Sequence, residues 1–202
     1  MDTLEHLIQL TQRFDTKGWT PATSSNFSLR IHCAKTQADQ VLITRSGCHK
    51  GMLTHADFMR LDVTGKPIDA GKPSAETGLH LMLYQHCAAI SAVLHTHSPQ
   101  VTVSSMLAKK PLIEFANYEI LKAFPGCTTH ETSLILNVYP NDQDISRLVK
   151  RIALDIATLQ IPAFLIEGHG LYAWGDSLVD AARHLEAVEF LLHCEHLRSQ
   201  RS

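Results

Sequence analysis

The sequence predicts an α/β fold in which helices cover both sides of a mixed sheet. Three observations carry that reading. Apolar residues at helical spacing alternate with short β-rich runs, no linker, repeat or low-complexity stretch divides the 202 residues, and Leu165 to Tyr172 has the form of a hairpin-like turn. With 45% apolar residues, a chain of this length buries a full core without disulfide staples, so one domain spanning 1–202 is expected.

The first helix is expected from Thr3 to Thr16, with Leu4, Leu7, Ile8, Leu10, Thr11 and Phe14 on its buried face and Gly18 just past its end. Asn26 to Ile31 and Val41 to Thr44 read as strands joined by a polar loop. A helix is expected from Thr54, where Thr54-His55-Ala56-Asp57 resembles a capping box with aspartate in the glutamate position. Ser74-Ala75-Glu76 opens a helix through Leu79, Met82 and Tyr84 to His86, which feeds a buried strand, Ala88 to Leu94. Ser98-Pro99 starts the next helix, with proline in the first turn where its missing N–H costs little. Thr132 to Tyr139 is a strand, and Asp142 to Leu159 a helix with Ile145, Leu148, Val149, Ile152 and Ile156 on one face. The apolar run Ile161 to Ile166 is a strand leading to His169, and Ser177 caps a final amphipathic helix from Leu178 to about Arg198.

Composition excludes several function classes. A formal charge of −2 leaves no basic stripe for nucleic acid, and no apolar run is long enough to span a bilayer, so neither is an expected partner. The amino terminus, Met1-Asp2-Thr3-Leu4-Glu5, carries acids ahead of its apolar residues, unlike a secretory signal. Five cysteines without Cys-x-x-Cys spacing fit reduced thiols and a cytoplasmic location.

The pattern that points to chemistry is His95-Thr96-His97 at a strand end, with His169 between two glycines far downstream. Alternation along a strand points residues 95 and 97 the same way. Three imidazoles offer three neutral nitrogens and leave a coordination position open, which suits a catalytic zinc better than a structural one. His80, His86, His184 and His193 fall on helices and read as ordinary core or surface residues.

Pro73-Ser74-Ala75-Glu76, His95-Thr96-His97 and His169-Gly170 together resemble the class II aldolase and adducin-type family, and the resemblance covers almost the whole chain. Asn117-Tyr118-Glu119 and Gly168 to Gly175 are most similar to a branch of that family that dehydrates a methylthio-substituted 2-ketose 1-phosphate in methionine salvage. The resemblance implies a three-layer α/β/α sandwich around a largely antiparallel sheet, a homotetramer with sites at subunit boundaries, and one zinc per subunit on His95, His97 and His169. It also implies a small sugar phosphate as substrate.

Residue by residue, the resemblance places the catalytic carboxylate of the dehydratase branch at Glu119 and that of the aldolase branch at Glu76. Glu119 ranks first for proton transfer and Glu76 as a helper near the metal, although a glutamate at a helix start also serves capping and the helix dipole. Asn26, Ser46, Gly47 and Ser74 match the phosphate-binding positions, where glycine admits backbone N–H groups and hydroxyls add donors. Arg45 and Lys50 add charge that the sequence does not aim, and Phe115, Tyr172 and Trp174 are candidates for an apolar wall around the methylthio end. Two alternatives stand beside dehydration. Aldolases and ketose-phosphate epimerases share the metal histidines but recruit a tyrosine near the carboxyl terminus, and no tyrosine follows Tyr172 here. A non-catalytic adducin-like domain keeps the fold but is not expected to keep the whole histidine set.

Overall fold

The structure, a computed structural model, describes residues 2–200; of the expected 1–202 span, Met1, Arg201 and Ser202 lie outside the described residues. One sheet of eight strands runs through it: β1 (Asn26–Cys33), β2 (Ala38–Thr44), β3 (Phe58–Asp62), β4 (Ala92–Thr96), β5 (Leu112–Ala116), β6 (Ser133–Tyr139), β7 (Ala163–Ile166) and β8 (Gly170–Gly175). Their spatial order is β3-β2-β1-β4-β8-β7-β6-β5. Only β6 and β7 pair in parallel; the other pairings among the described strands are antiparallel.

Among the described residues, five α-helices cover the sheet: α1 (Thr3–Thr16), α2 (Thr77–His86), α3 (Pro99–Leu107), α4 (Ile145–Ala153) and α5 (Leu178–Ser199). Strand alternation divides the core between the two faces. Leu94, Leu171 and Ala173 join α1, α3 and α5 on one side, while Val93, Tyr172 and Trp174 join α2 and α4 on the other. The result is the three-layer α/β/α sandwich around a largely antiparallel sheet.

Three expectations need correction, and two edge strands lie outside the expected elements. The capping box at Thr54 forms, with Asp57 Oδ2 accepting from the Thr54 backbone N–H at 2.8 Å, but it closes a single 3-10 turn, His55–Asp57. The chain then enters the unforeseen edge strand β3, because Met59 and Leu61 bury on the α2 side of the sheet and Phe58 on the α1 side instead of continuing a helix. The helix expected from Asp142 to Leu159 is shorter: Asp144 is the N-cap, and after Ala153 the chain makes a separate turn at Ile156–Thr158. The strand expected over Ala88 to Leu94 begins only at Ala92; Ala88 and Ala89 are exposed in the turn that leaves α2, and the strand instead runs on through His95. The other edge strand, β5, was likewise not foreseen.

The expected hairpin is present, with Ile166 opposite Gly170 across β7 and β8. Two glycines make it possible. Gly168 has φ of +61°, a left-handed conformation that a side chain disfavours. At Gly170 a Cβ would lie 2.3 Å from the Thr96 carbonyl oxygen and 2.7 Å from His95 Cε1, so no larger residue fits. The turn between them presents His169 to β4.

Candidate metal centre

Four side chains meet where β1, β4, β8 and the start of α2 converge. The nearest ligand atoms of Glu76, His95, His97 and His169 all lie within 4.8 Å of one another. His95 and His97 project together from the end of β4, their ring centroids 4.4 Å apart, and His169 reaches them from the β7–β8 turn at 5.2 and 4.8 Å. Glu76 stands at the N-cap of α2 yet makes no capping bond, which frees its carboxylate for the cluster. Its Oε1 lies 2.7 Å from His169 Nε2 and its Oε2 3.2 Å from His95 Nε2.

The tautomer of His95 follows from its surroundings. Nδ1 lies 2.9 Å from the Leu171 carbonyl oxygen, which only accepts, so Nδ1 carries a proton and Nε2 is the nitrogen turned to the cluster. That Nε2 is buried and makes no hydrogen bond. Burial, reinforced by the neighbouring imidazoles, pulls His97 down to about 2, so its ring is neutral at working pH. Burial alone would raise the Glu76 pKa, but the imidazoles of His95 and His169 hold its carboxyl well below the usual carboxylate range. Three imidazole nitrogens and one carboxylate oxygen within 4.8 Å of one another, with the buried His95 Nε2 making no hydrogen bond, are a donor set that fits a divalent cation of the zinc type.

Glu76 is fixed by a buried chain of hydrogen bonds. Tyr172 Oη donates to its Oε2 at 2.8 Å and Asn26 Nδ2 donates to the same oxygen at 2.7 Å. Asn26 Oδ1 then faces His80 Nε2, whose proton it accepts, and His80 Nδ1 accepts from Ser28 Oγ at 2.7 Å, with Tyr84 Oη 2.8 Å beyond. Burial pulls His80 down to about 3, so this ring is a neutral relay. Asn26, expected at the phosphate, thus has both polar atoms of its amide engaged within the protein. The sequence does contain the signal: Glu76, His80 and Tyr84 share a helix face at i, i+4 and i+8, and Asn26 and Ser28 share a strand face.

Ser46, Gly47, Ser74, Asn26 and His97 line a pocket of about 190 Å³ beside the cluster. Lys50 lines it too and is 1% exposed, with Nζ donating to the Cys48 and Thr23 carbonyls at 2.6 and 3.2 Å. Among the described residues no carboxylate lies within ion-pair distance of Lys50, and burial lowers its pKa. The sequence does not aim Lys50; in the structure it is a buried lysine in the wall of this pocket.

Glu119 does not join the cluster. It opens a 3-10 turn, Glu119–Ala123, after the edge strand β5, with its side chain 71% exposed and 2.5 Å from Lys122. Three strands separate β5 from β4, roughly 19 Å at ordinary strand spacing, and the turn packs with α5, across the sheet from the histidines. Of the three aromatic candidates, Phe115 is buried on that same α5 side and Tyr172 is spent on Glu76. Trp174 lines a separate cavity of about 490 Å³ with His86, Cys87 and Asp180.

Residues 5–196 match the model of the Class II Aldolase and Adducin N-terminal domain family. The chain belongs to this class II aldolase and adducin family. Within the family, the chain is 45% identical over 196 residues to methylthioribulose-1-phosphate dehydratase of Gluconobacter oxydans strain 621H, covering 96% of this chain and 91% of that protein. It is 48% identical to the protein of the same name from Xanthomonas campestris pv. campestris strain 8004, covering 88% of this chain and 81% of that one. Among solved structures, L-fuculose 1-phosphate aldolase superposes with a TM-score of 0.80 at 20% identity, over 100% of this chain and 88% of that one. Klebsiella pneumoniae YgbL does so with a TM-score of 0.82 at 22% identity, over 99% and 91%. These structural likenesses establish the class II aldolase fold.

Proposed function

We propose that this class II aldolase family chain is a zinc-dependent lyase that removes water from 5-methylthioribulose 1-phosphate, giving 2,3-diketo-5-methylthiopentyl 1-phosphate in methionine salvage. The observation that carries the reading is the 45–48% identity, over most of the chain, to relatives named for that reaction. The assembled cluster supports it over a non-catalytic domain. His95, His97 and His169 are the proposed zinc ligands, with Glu76 beside them. When bound, the ion supplies Lewis acidity to the substrate oxygens and withdraws charge from the carbon that loses its proton.

The chain's own residues do the rest. Ser46, Gly47, Ser74 and Lys50 hold the phosphate, the hydroxyls and backbone by direction and Lys50 by charge. Asn26 and Tyr172 hold Glu76 against the cluster. Water loss needs a carboxylate that takes the proton from C3 and returns one to the hydroxyl leaving C4. Glu119 is the proposed carrier. Because it lies on the other side of the sheet within one chain, it reaches a cluster only from a second copy, and a homotetramer with sites at subunit boundaries is part of the proposal. Glu76, already at the cluster, is the carrier if the reaction is aldol cleavage or epimerisation. The free cysteines fit a cytoplasmic enzyme. Among the described residues, no helix is long and apolar enough to cross a membrane. Mass analysis of the product formed by zinc-loaded protein tests the reaction; a product lighter by one water is expected, and cleavage or an isobaric epimer overturns it.

A further inference from the structure

The segment that carries two of the histidines is gripped from behind. His95 and His97 point to the α2 side of the sheet, so Thr96 and Ser98 point to the α5 side. There a single carboxylate receives both: Ser98 Oγ donates to Glu189 Oε2 at 2.6 Å and Thr96 Oγ1 to Glu189 Oε1 at 3.2 Å. Glu189 is 3% exposed and lines a recess beside α5 with Lys17, Trp19, Gln100 and His193, and no cation among the described residues lies within ion-pair distance of it.

A carboxylate is an expensive way to attach a helix to a sheet. Leucine there would avoid the cost of desolvating a charge. What leucine cannot do is accept one hydrogen bond from each residue interleaved with the histidines. Ser98 carries the connection further: its Oγ also accepts from Val101 N at 3.1 Å, capping α3. From α3, Ser105 Oγ accepts from Gly168 N at 2.9 Å and Thr102 Oγ1 lies 3.4 Å from the His169 carbonyl oxygen. Glu189 therefore touches, through Thr96 and Ser98, the strand end bearing His95 and His97, and through α3 the turn bearing His169.

We propose that Glu189 is a positioning residue that sets the spacing of the His95–His97 pair against His169 and thereby the metal affinity of the cluster. The inference rests on the reading of the cluster as a metal site. Groups hydrogen-bonded directly to metal ligands typically change affinity by about 10- to 100-fold when lost, and Glu189 acts one residue further out, on the segment that carries two of them. The test is competition of the full-length Glu189→Gln and Glu189→Leu variants against a chromophoric chelator for zinc, with visible spectra of the cobalt-substituted proteins and melting of the metal-free forms. Zinc affinity is expected to fall about tenfold or more in both variants. The cobalt d–d bands are expected to shift, and Thr96→Val is expected to add little further loss in the Glu189→Gln background. Should Glu189→Leu not fold, Glu189→Gln carries the test. Variants that melt lower but bind zinc within twofold of the unmodified protein, with an unchanged cobalt spectrum, would make Glu189 a structural tie and overturn the proposal while leaving the metal site standing. An unmodified protein that takes up neither metal overturns the metal reading and this proposal with it.

Discussion

Gly170 and Thr96 are in closer contact than any side chain at position 170 would allow: a Cβ there would stand 2.3 Å from the Thr96 carbonyl oxygen. This approach lets β8 carry the Leu171 carbonyl to His95 Nδ1, and so turns Nε2 towards Glu76. Gly170→Ala is therefore expected to push β8 from β4, costing about 1–3 kcal/mol of stability as overpacking usually does, and to lower bound zinc. Metal analysis and denaturant unfolding check both; a variant with full zinc and unchanged stability would refute the packing argument.

Glu119 gives a sharper test because its chain position and its proposed task lie on opposite sides of the sheet. Glu119→Gln is expected to keep its zinc and lose about 10²- to 10⁴-fold in turnover, the usual contribution of an acid/base group. Mixed oligomers of Glu119→Gln and His95→Ala subunits, refolded together, should regain activity that neither variant has alone. Absence of complementation in verified mixed oligomers would remove the second-copy assignment.

Lys50 is a buried cation with no carboxylate within ion-pair distance among the described residues. Lys50→Met should weaken binding of the phosphorylated substrate by about 1.5–3 kcal/mol, the range for hydrogen bonds to charged groups, and appear chiefly in KM. Inorganic phosphate as a competitive inhibitor should weaken in parallel. An unchanged inhibition constant would move the phosphate elsewhere.

Glu189 also gives a pH signature. Burial raises its pKa from its ordinary 4.5 to about 7, against the hydrogen bonds from Ser98 and Thr96. Since the folded value lies above the unfolded one, this stabilisation is full below about 4.5 and is lost as pH rises through about 7. The loss is about 3 kcal/mol at 1.36 kcal/mol per unit. Unfolding of the metal-free protein at about pH 5 and pH 8 should show it, and Glu189→Gln should flatten it. The same slope in both proteins would assign the pH dependence to other groups.

Much of the fold is legible in the sequence, because its signals are local. Both ends of α1, the Ser98 and Ser177 caps and the β7–β8 hairpin are written in apolar spacing, hydroxyl caps and glycines. The edge strands β3 and β5 are not, since each is short and buries only part of its length against one neighbour. The Thr54 capping box misled because a cap closes the first turn and cannot require a second one. At the site, His95, His97 and His169 are readable as ligand types at a strand end and a glycine turn. Glu189 is not, for a lone acid in an apolar helix face shows its purpose only when Thr96 and Ser98 are seen to meet it. Asn26 shows a further limit: the family resemblance matched it to the phosphate, and its additional bonds to Glu76 and His80, 50 and 54 residues away in the chain, are not legible in the sequence.

The most direct measurement is mass analysis of the product from zinc-loaded protein and 5-methylthioribulose 1-phosphate, with a chelator-treated control. Loss of one water, dependent on zinc and abolished in His95→Ala, is the expected result. Unchanged substrate, with cleavage or epimerisation of a simpler ketose phosphate such as fuculose 1-phosphate or ribulose 5-phosphate, would contradict it and make Glu76 the principal acid/base.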